Sequence, residues 1–105
     1  MRTLISTAFI SLDGVMEALG GEPGYRNSGW TVNDFEFLPE VYEIKAREQK
    51  EASAMVLGRA SYDAFAPVWP GMEDEFPDYN AMPKYVVSTT LGKDDLVSNW
   101  GEINI

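Results

Sequence analysis

Cysteine and histidine are both missing from this chain of 105 residues. Without cysteine there is no disulfide, no thiolate nucleophile and no thiolate metal site. Without histidine there is no imidazole base, no Ser-His triad and no zinc site of the usual kind, so no metal is expected. Positive charge is scarce: eight Lys and Arg stand against seventeen Asp and Glu, a net charge of −9. Phosphate backbones attract lysine and arginine, so no nucleic-acid partner is expected. An acidic surface disfavours anionic membranes as well. The apolar opening is interrupted by Ser11 and Asp13 after about ten residues, too short to span a bilayer and without the cleavage region of a signal peptide. A cytoplasmic chain with no membrane partner is the expectation. Repeats, low-complexity tracts and linkers are absent too.

What the chain does have is a core's worth of apolar residues, 45%, of which a good part are aromatic. That is enough to exclude disorder, and the length suits one small domain over residues 1–105. Residues 3–10, TLISTAFI, read as a strand buried on both faces, stopped by the Asp-Gly turn of SLDG. A long glycine-rich loop over residues 16–28 follows, of the kind that serves a function or moves. Residues 39–52 predict a helix, with Pro39 at its first position and a Glu43–Arg47 pair one turn apart. AMVLG predicts a second strand, RASYDAFA a short helix ended by Pro67 and Pro70, and DYNAM a helical turn. KYVVSTT, residues 84–90, predicts a third strand, and GEINI a fourth. Strands alternating with helices predict an α/β fold, a mostly parallel sheet flanked by helices.

Ligands of such sheets sit at the carboxyl ends of the strands. Three such edges follow: SLDG, GRAS and STT. Gly58 allows a sharp turn with no Cβ in the way, and the following helix start carries free N–H groups and partial positive charge that suit phosphate. Arg59 adds charge and Ser61 a hydroxyl. The plainer reading, a tight turn at Gly58 with Ser61 capping the helix, stays open. Ser88, Thr89 and Thr90 suit a ribose phosphate or an adenine edge, or are simply a strand leaving for solvent. Asp13 suits a polar substrate group or a water, or is only part of the Asp-Gly turn. Trp30, Trp69 and Trp100 each bury substantial area as a rule, and most tryptophans belong to cores or half-cores; Trp30 and Trp69, by their places in the chain, also suit the walls of a ligand cleft.

FISLDGVMEALGG, GWTV, MVLGRASYDAFAPVWP and MPKYVVSTTL, in that order and spacing, resemble the reductase domain of the riboflavin-biosynthesis deaminase–reductase family and its stand-alone dihydrofolate-reductase-like relatives. The resemblance spans the whole chain but only the family's amino-terminal half, about half a domain, because family domains run to nearly twice this length. It implies a dihydrofolate-reductase-like fold, NADPH as cofactor, and hydride transfer to a small heterocyclic or carbonyl substrate, of the 5-amino-6-(5-phosphoribosylamino)uracil reductase type. It places Gly58, Arg59 and Ser61 at cofactor phosphate. Ser88, Thr89 and Thr90 fall beside the adenosine 2′-phosphate. Leu12, Asp13 and Gly14 border nicotinamide and substrate, with Asp13 the one acidic group available for catalysis. The family pattern has a basic residue after this Asp-Gly, where Val15 stands here. Its missing half would also supply a second glycine turn for pyrophosphate and the strand neighbouring the first one. An alternative expectation follows, a catalytically inactive half-domain acting as a binding or self-assembling module. In either case a homodimer, completed by strand exchange between copies, is expected.

Overall fold

The computed structural model describes residues 1–18, 20–33, 35–36 and 38–105. The chain divides into two units, Met1–Leu38 and Pro39–Ile105.

In the second unit, helix α2 (Pro39–Glu51) opens on the predicted proline, with Glu40 in its first turn and Lys50 in its last, both matched to the helix dipole. Strand β1 (Met55–Gly58) leads directly into helix α3 (Arg59–Phe65). A single 3-10 turn follows over Trp69–Met72, then helix α4 (Pro77–Ala81), each with a proline in its first turn, where the missing N–H costs nothing. Strands β2 (Lys84–Val87) and β3 (Ile103–Asn104) complete a parallel sheet in the order β1-β2-β3. Met55 pairs with Lys84 and Gly58 with Val87, so β1 and β2 end level with each other. The α/β parallel architecture expected from the alternating pattern is therefore the one found.

Alternation decides which side chains are covered. Leu57 and Val86 point to the face under α3 and are buried with Tyr62, Ala66, Leu91 and Trp100. Val56, Tyr85 and Val87 point the other way and are exposed, Val87 by 71%. β2 ends four residues in, earlier than the seven-residue apolar pattern suggests. The Ser88 hydroxyl accepts the amides of Thr90 (3.2 Å) and Leu91 (3.1 Å), which turns the chain out of the ladder.

The first unit corrects one expectation. Residues 3–10 form no strand, and Leu4, Ile5 and Ile10 are exposed rather than buried. Strand propensity describes a fit to a pleated, half-covered surface, and no described strand pairs with this segment. The unit is organised instead by turns. Ser11 and Val15 close on each other through both backbone and side chain, with Gly14 at φ 93°. The glycine-rich loop is closed by the Gly29 amide on the Ala18 carbonyl (2.7 Å), leading into a one-turn helix α1 (Trp30–Asn33).

Candidate functional site

The level ends of β1 and β2 place the GRAS and STT segments side by side. Gly58 ends β1 and precedes the first residue of α3 in extended conformation, φ −77°. No atom lies within 4 Å of where its Cβ would be, so this turn tolerates a side chain, and open space lies above the glycine. No side chain caps α3. Ser61 sits inside the first turn and is exposed, so the capping role open to it in the sequence is not the one it has.

Arg59 links the two edges. Its Nε donates to both carboxylate oxygens of Asp63, at 2.9 and 3.0 Å, one helical turn along. Its Nη1 donates to the Thr90 hydroxyl at 3.1 Å, beyond the end of β2. Thr90 Oγ1 in turn lies 3.5 Å from Ser88 Oγ. Arg59, Ser88 and Thr90 thus form one connected polar ledge across two strand ends, and Thr89 lies exposed between them in sequence. A guanidinium has five N–H donors, and these contacts use two of them. The arrangement can therefore present both charge and directed donors to an anion.

The other predicted residues belong to other segments of the chain. Asp13, Leu12 and Gly14 occupy the first unit's Ser11–Val15 turn, where Ser11 Oγ donates to Asp13 Oδ1. All three are exposed. Trp30 is half-buried, donating from Nε1 to the Glu17 carbonyl (3.1 Å) with its ring edge-on to Phe35. Trp69, in the second unit, is the hub of an aromatic cluster. Phe65, Phe76 and Tyr79 meet it edge-to-face at 5.9, 4.9 and 5.1 Å between centroids. Trp100 is core.

Sequence reasoning missed two features. One is Asp63, which was readable as the i, i+4 partner of Arg59. The other is Lys84, fully buried at the head of β2. Its Nζ donates to the carbonyls of Asn80 (2.7 Å) and Trp100 (2.8 Å) and lies over the Trp100 indole, 4.9 Å from its centroid. Asn80 ties the same cluster together, accepting from Trp100 Nε1 and donating to the Trp69 carbonyl. Desolvation lowers the Lys84 pKa from its ordinary value. The clue was parity: Lys84 stands two residues before Val86, on the covered face.

A groove of about 340 Å³ lies between α2 and α4, lined among others by Tyr42, Gln49, Lys50 and Phe76. Tyr79 has its pKa raised by burial first and by the Glu48 charge second, against a Gln49 hydrogen bond that lowers it. A second hollow of about 470 Å³ is lined by Lys93, Leu96 and the residues of β3. Neither is lined by Arg59, Ser88 or Thr90. No group of three or more acidic side chains among the described residues is placed to hold a metal. No described helix is long and apolar enough to cross a membrane.

Comparison with known proteins gives one family. The model of the RibD C-terminal domain matches residues 2–102, nearly the whole chain. No curated protein matches the sequence.

Proposed function

From the premise that the chain belongs to the RibD C-terminal domain family, the reductase domain of riboflavin biosynthesis with a dihydrofolate-reductase-like fold, we propose that it is an NADPH-dependent reductase. The observation that carries this reading is the Arg59 bridge from the end of β1 to Thr90 beyond β2. It gathers a cation and two hydroxyls at the carboxyl edge of a parallel sheet, where such folds take their ligands. These residues fit a cofactor phosphate: the guanidinium keeps free donors, and the space over Gly58 lets a ligand approach the backbone. Ser88, Thr89 and Thr90 take the 2′-phosphate side, with Lys93 three residues beyond. Ser61 adds a hydroxyl from the helix.

When bound, the reduced nicotinamide supplies a hydride to an electrophilic carbon of a small heterocyclic or carbonyl substrate, and the cofactor carries the hard chemistry. For the first unit, the family resemblance gives Leu12, Asp13 and Gly14 the role of bordering nicotinamide and substrate, with Asp13 orienting a polar substrate group or a water. Trp30 in the first unit and Trp69 in the second are each candidates for apolar surface toward a substrate. The 5-amino-6-(5-phosphoribosylamino)uracil type of substrate is the first to test, and Val15 in the place of a basic residue is the reason to test uncharged analogues beside it. The reaction belongs in the cytoplasm, where reduced NADP is available.

Calorimetric titration with NADPH and NADH tests the reading. NADPH is expected to bind more tightly, and Arg59→Ala to weaken it about tenfold or more, as loss of a charged hydrogen bond does. Equal affinities for the two nucleotides would remove the 2′-phosphate assignment.

A second reading, a non-catalytic self-assembling module, is favoured by the exposed row Val56, Tyr85 and Val87 and by the single strand neighbour of β1 among the described residues. A second copy that supplies a strand would cover such an edge. Hydride-transfer activity separates the two readings, and light scattering tests the self-association itself, with a mass near twice 11.7 kDa expected of a homodimer.

A further inference from the structure

We propose that Asp63 is a positioning residue for the phosphate ledge, fixing the Arg59 guanidinium across the two strand ends so that Arg59 and Thr90 meet an anion as one unit. This rests on the cofactor reading above and deepens it. Arg59 is a long side chain with about 2 kcal/mol of rotamer freedom, and an unrestrained guanidinium would have to be ordered by each ligand it met. Here that ordering is done beforehand from two sides. The Asp63 carboxylate holds Nε at 2.9 and 3.0 Å from within α3, and the Thr90 hydroxyl holds Nη1 at 3.1 Å from the far strand end. Nη2 and the second Nη1 proton have no described partner. The pair is far from buried, with 41% and 54% of the two side chains exposed, so its contribution to stability is small. An exposed ion pair that does little for the fold but fixes the direction of a free donor set has its effect on the ligand.

Asp63 also carries negative charge, which opposes an anion. Positioning and charge therefore act in opposite directions, and two substitutions separate them. Asp63→Asn keeps an acceptor for Nε and removes the charge. Asp63→Ala removes both. If Asp63 positions Arg59, Asp63→Asn binds NADPH at least as tightly as the parent, and Asp63→Ala binds it about three- to tenfold more weakly, the size of the rotamer cost restored. The side-chain Nε–H resonance of Arg59 should be protected from exchange in the parent and in Asp63→Asn, and lose that protection in Asp63→Ala. That signal reports the Nε–carboxylate bond itself; a merely structural role is told apart by its leaving the NADPH affinity unmoved, and melting temperatures of the three proteins should agree closely.

An Asp63→Ala protein that binds NADPH as tightly as the parent, or more tightly, overturns the proposal. So does an Arg59 Nε–H that exchanges equally fast in all three. Arg59→Ala distinguishes this failure from failure of the cofactor reading. If Arg59→Ala binds NADPH like the parent, the ledge is not the phosphate site and both ideas fall. If the parent does not bind NADPH, inorganic pyrophosphate is titrated instead. The order parent, Asp63→Asn, then a weaker Asp63→Ala upholds the positioning role on a different phosphate ligand, and absence of any pyrophosphate binding overturns it.

Discussion

Residues 3–10 and strand β1 are both short and apolar, yet only β1 is a strand. β1 has β2 beside it in register and α3 with Trp100 against one face, so its amides are paired and Leu57 is buried. Residues 3–10 have no described strand beside them, and Leu4 and Ile5 stay in solvent. The buried hydrophobic residues of the described chain all fall in the second unit. Composition thus states what a segment can do in a sheet, and the neighbour decides whether it does so. The first unit keeps its order through short-range turns, the kind of contact that opens locally at little cost.

The largest expected effect breaks this contrast at its strong end. Trp100 is fully buried, meets Tyr62 and donates to Asn80 Oδ1 at 2.8 Å. Trp100→Ala should destabilise the second unit by about 3–5 kcal/mol, enough to unfold a marginal domain. Leu4→Ala, at a residue 85% exposed, should change stability by less than about 0.5 kcal/mol. Urea denaturation of the two variants beside the parent checks this. A comparable loss from Leu4→Ala would mean that the first unit's apolar residues are covered in solution.

A smaller effect is expected where the core meets the chain's closing strand. Gly101 has φ 66°, and a Cβ there would lie 2.7 Å from the Asn80 carbonyl oxygen that Lys84 Nζ already holds. Gly101→Ala should cost about 1–3 kcal/mol from the backbone conformation alone. Gly58→Ala, with nothing near its Cβ and a negative φ, should cost far less despite its place in the site motif. Thermal melts of both rank the two glycines. The reverse ranking would break the assignment of Gly101 as the constrained position.

Lys84 adds a pH dependence to the same cluster. Burial lowers its pKa. Between that lowered value and the unfolded value of about 10.4, the unfolded chain binds more protons than the folded one, so stability rises with pH in this window. Below the window the desolvation cost is fully present. The neutral amine keeps two N–H donors for its two carbonyl acceptors, so losing the proton does not undo the hydrogen bonds. Denaturation midpoints at mildly alkaline pH, taken as the difference between the parent and Lys84→Met, should show this rise. The difference cancels other titrating groups, Tyr79 among them. A flat difference would remove the desolvated lysine as its source.

Much of the second unit was legible because its signals are local. Pro39 opens α2 and the MVLG run is β1. The prolines mark the turns after α3, and the parallel sheet follows from the alternation. What was not legible depends on partners distant in sequence. Residues 3–10 look like a strand until one asks what they pair with. Ser88 looks like part of β2 until its hydroxyl is seen to take two backbone amides. At the site, the gathering of GRAS and STT was readable from the rule that parallel strands present their carboxyl ends together. The Arg59–Thr90 bond that joins them spans 31 residues and has no sequence signature.

The smallest expected change in stability lies at Ser61. Sequence alone allowed it to be either a helix cap or a phosphate ligand. The residue preceding α3 is Gly58, no side chain caps the helix, and Ser61 lies exposed within the first turn. A true cap lost to alanine would cost about 1 kcal/mol. Ser61→Ala should instead leave the melting temperature essentially unchanged, or raise it slightly, because alanine is the better helix former at an exposed position. If the hydroxyl meets cofactor phosphate, the same protein should bind NADPH about tenfold more weakly. One sample, melted and titrated, gives both numbers. Unchanged stability with weakened binding upholds the ledge as a ligand surface extending onto α3. Unchanged stability with unchanged binding confines the phosphate contacts to Arg59, Ser88 and Thr90.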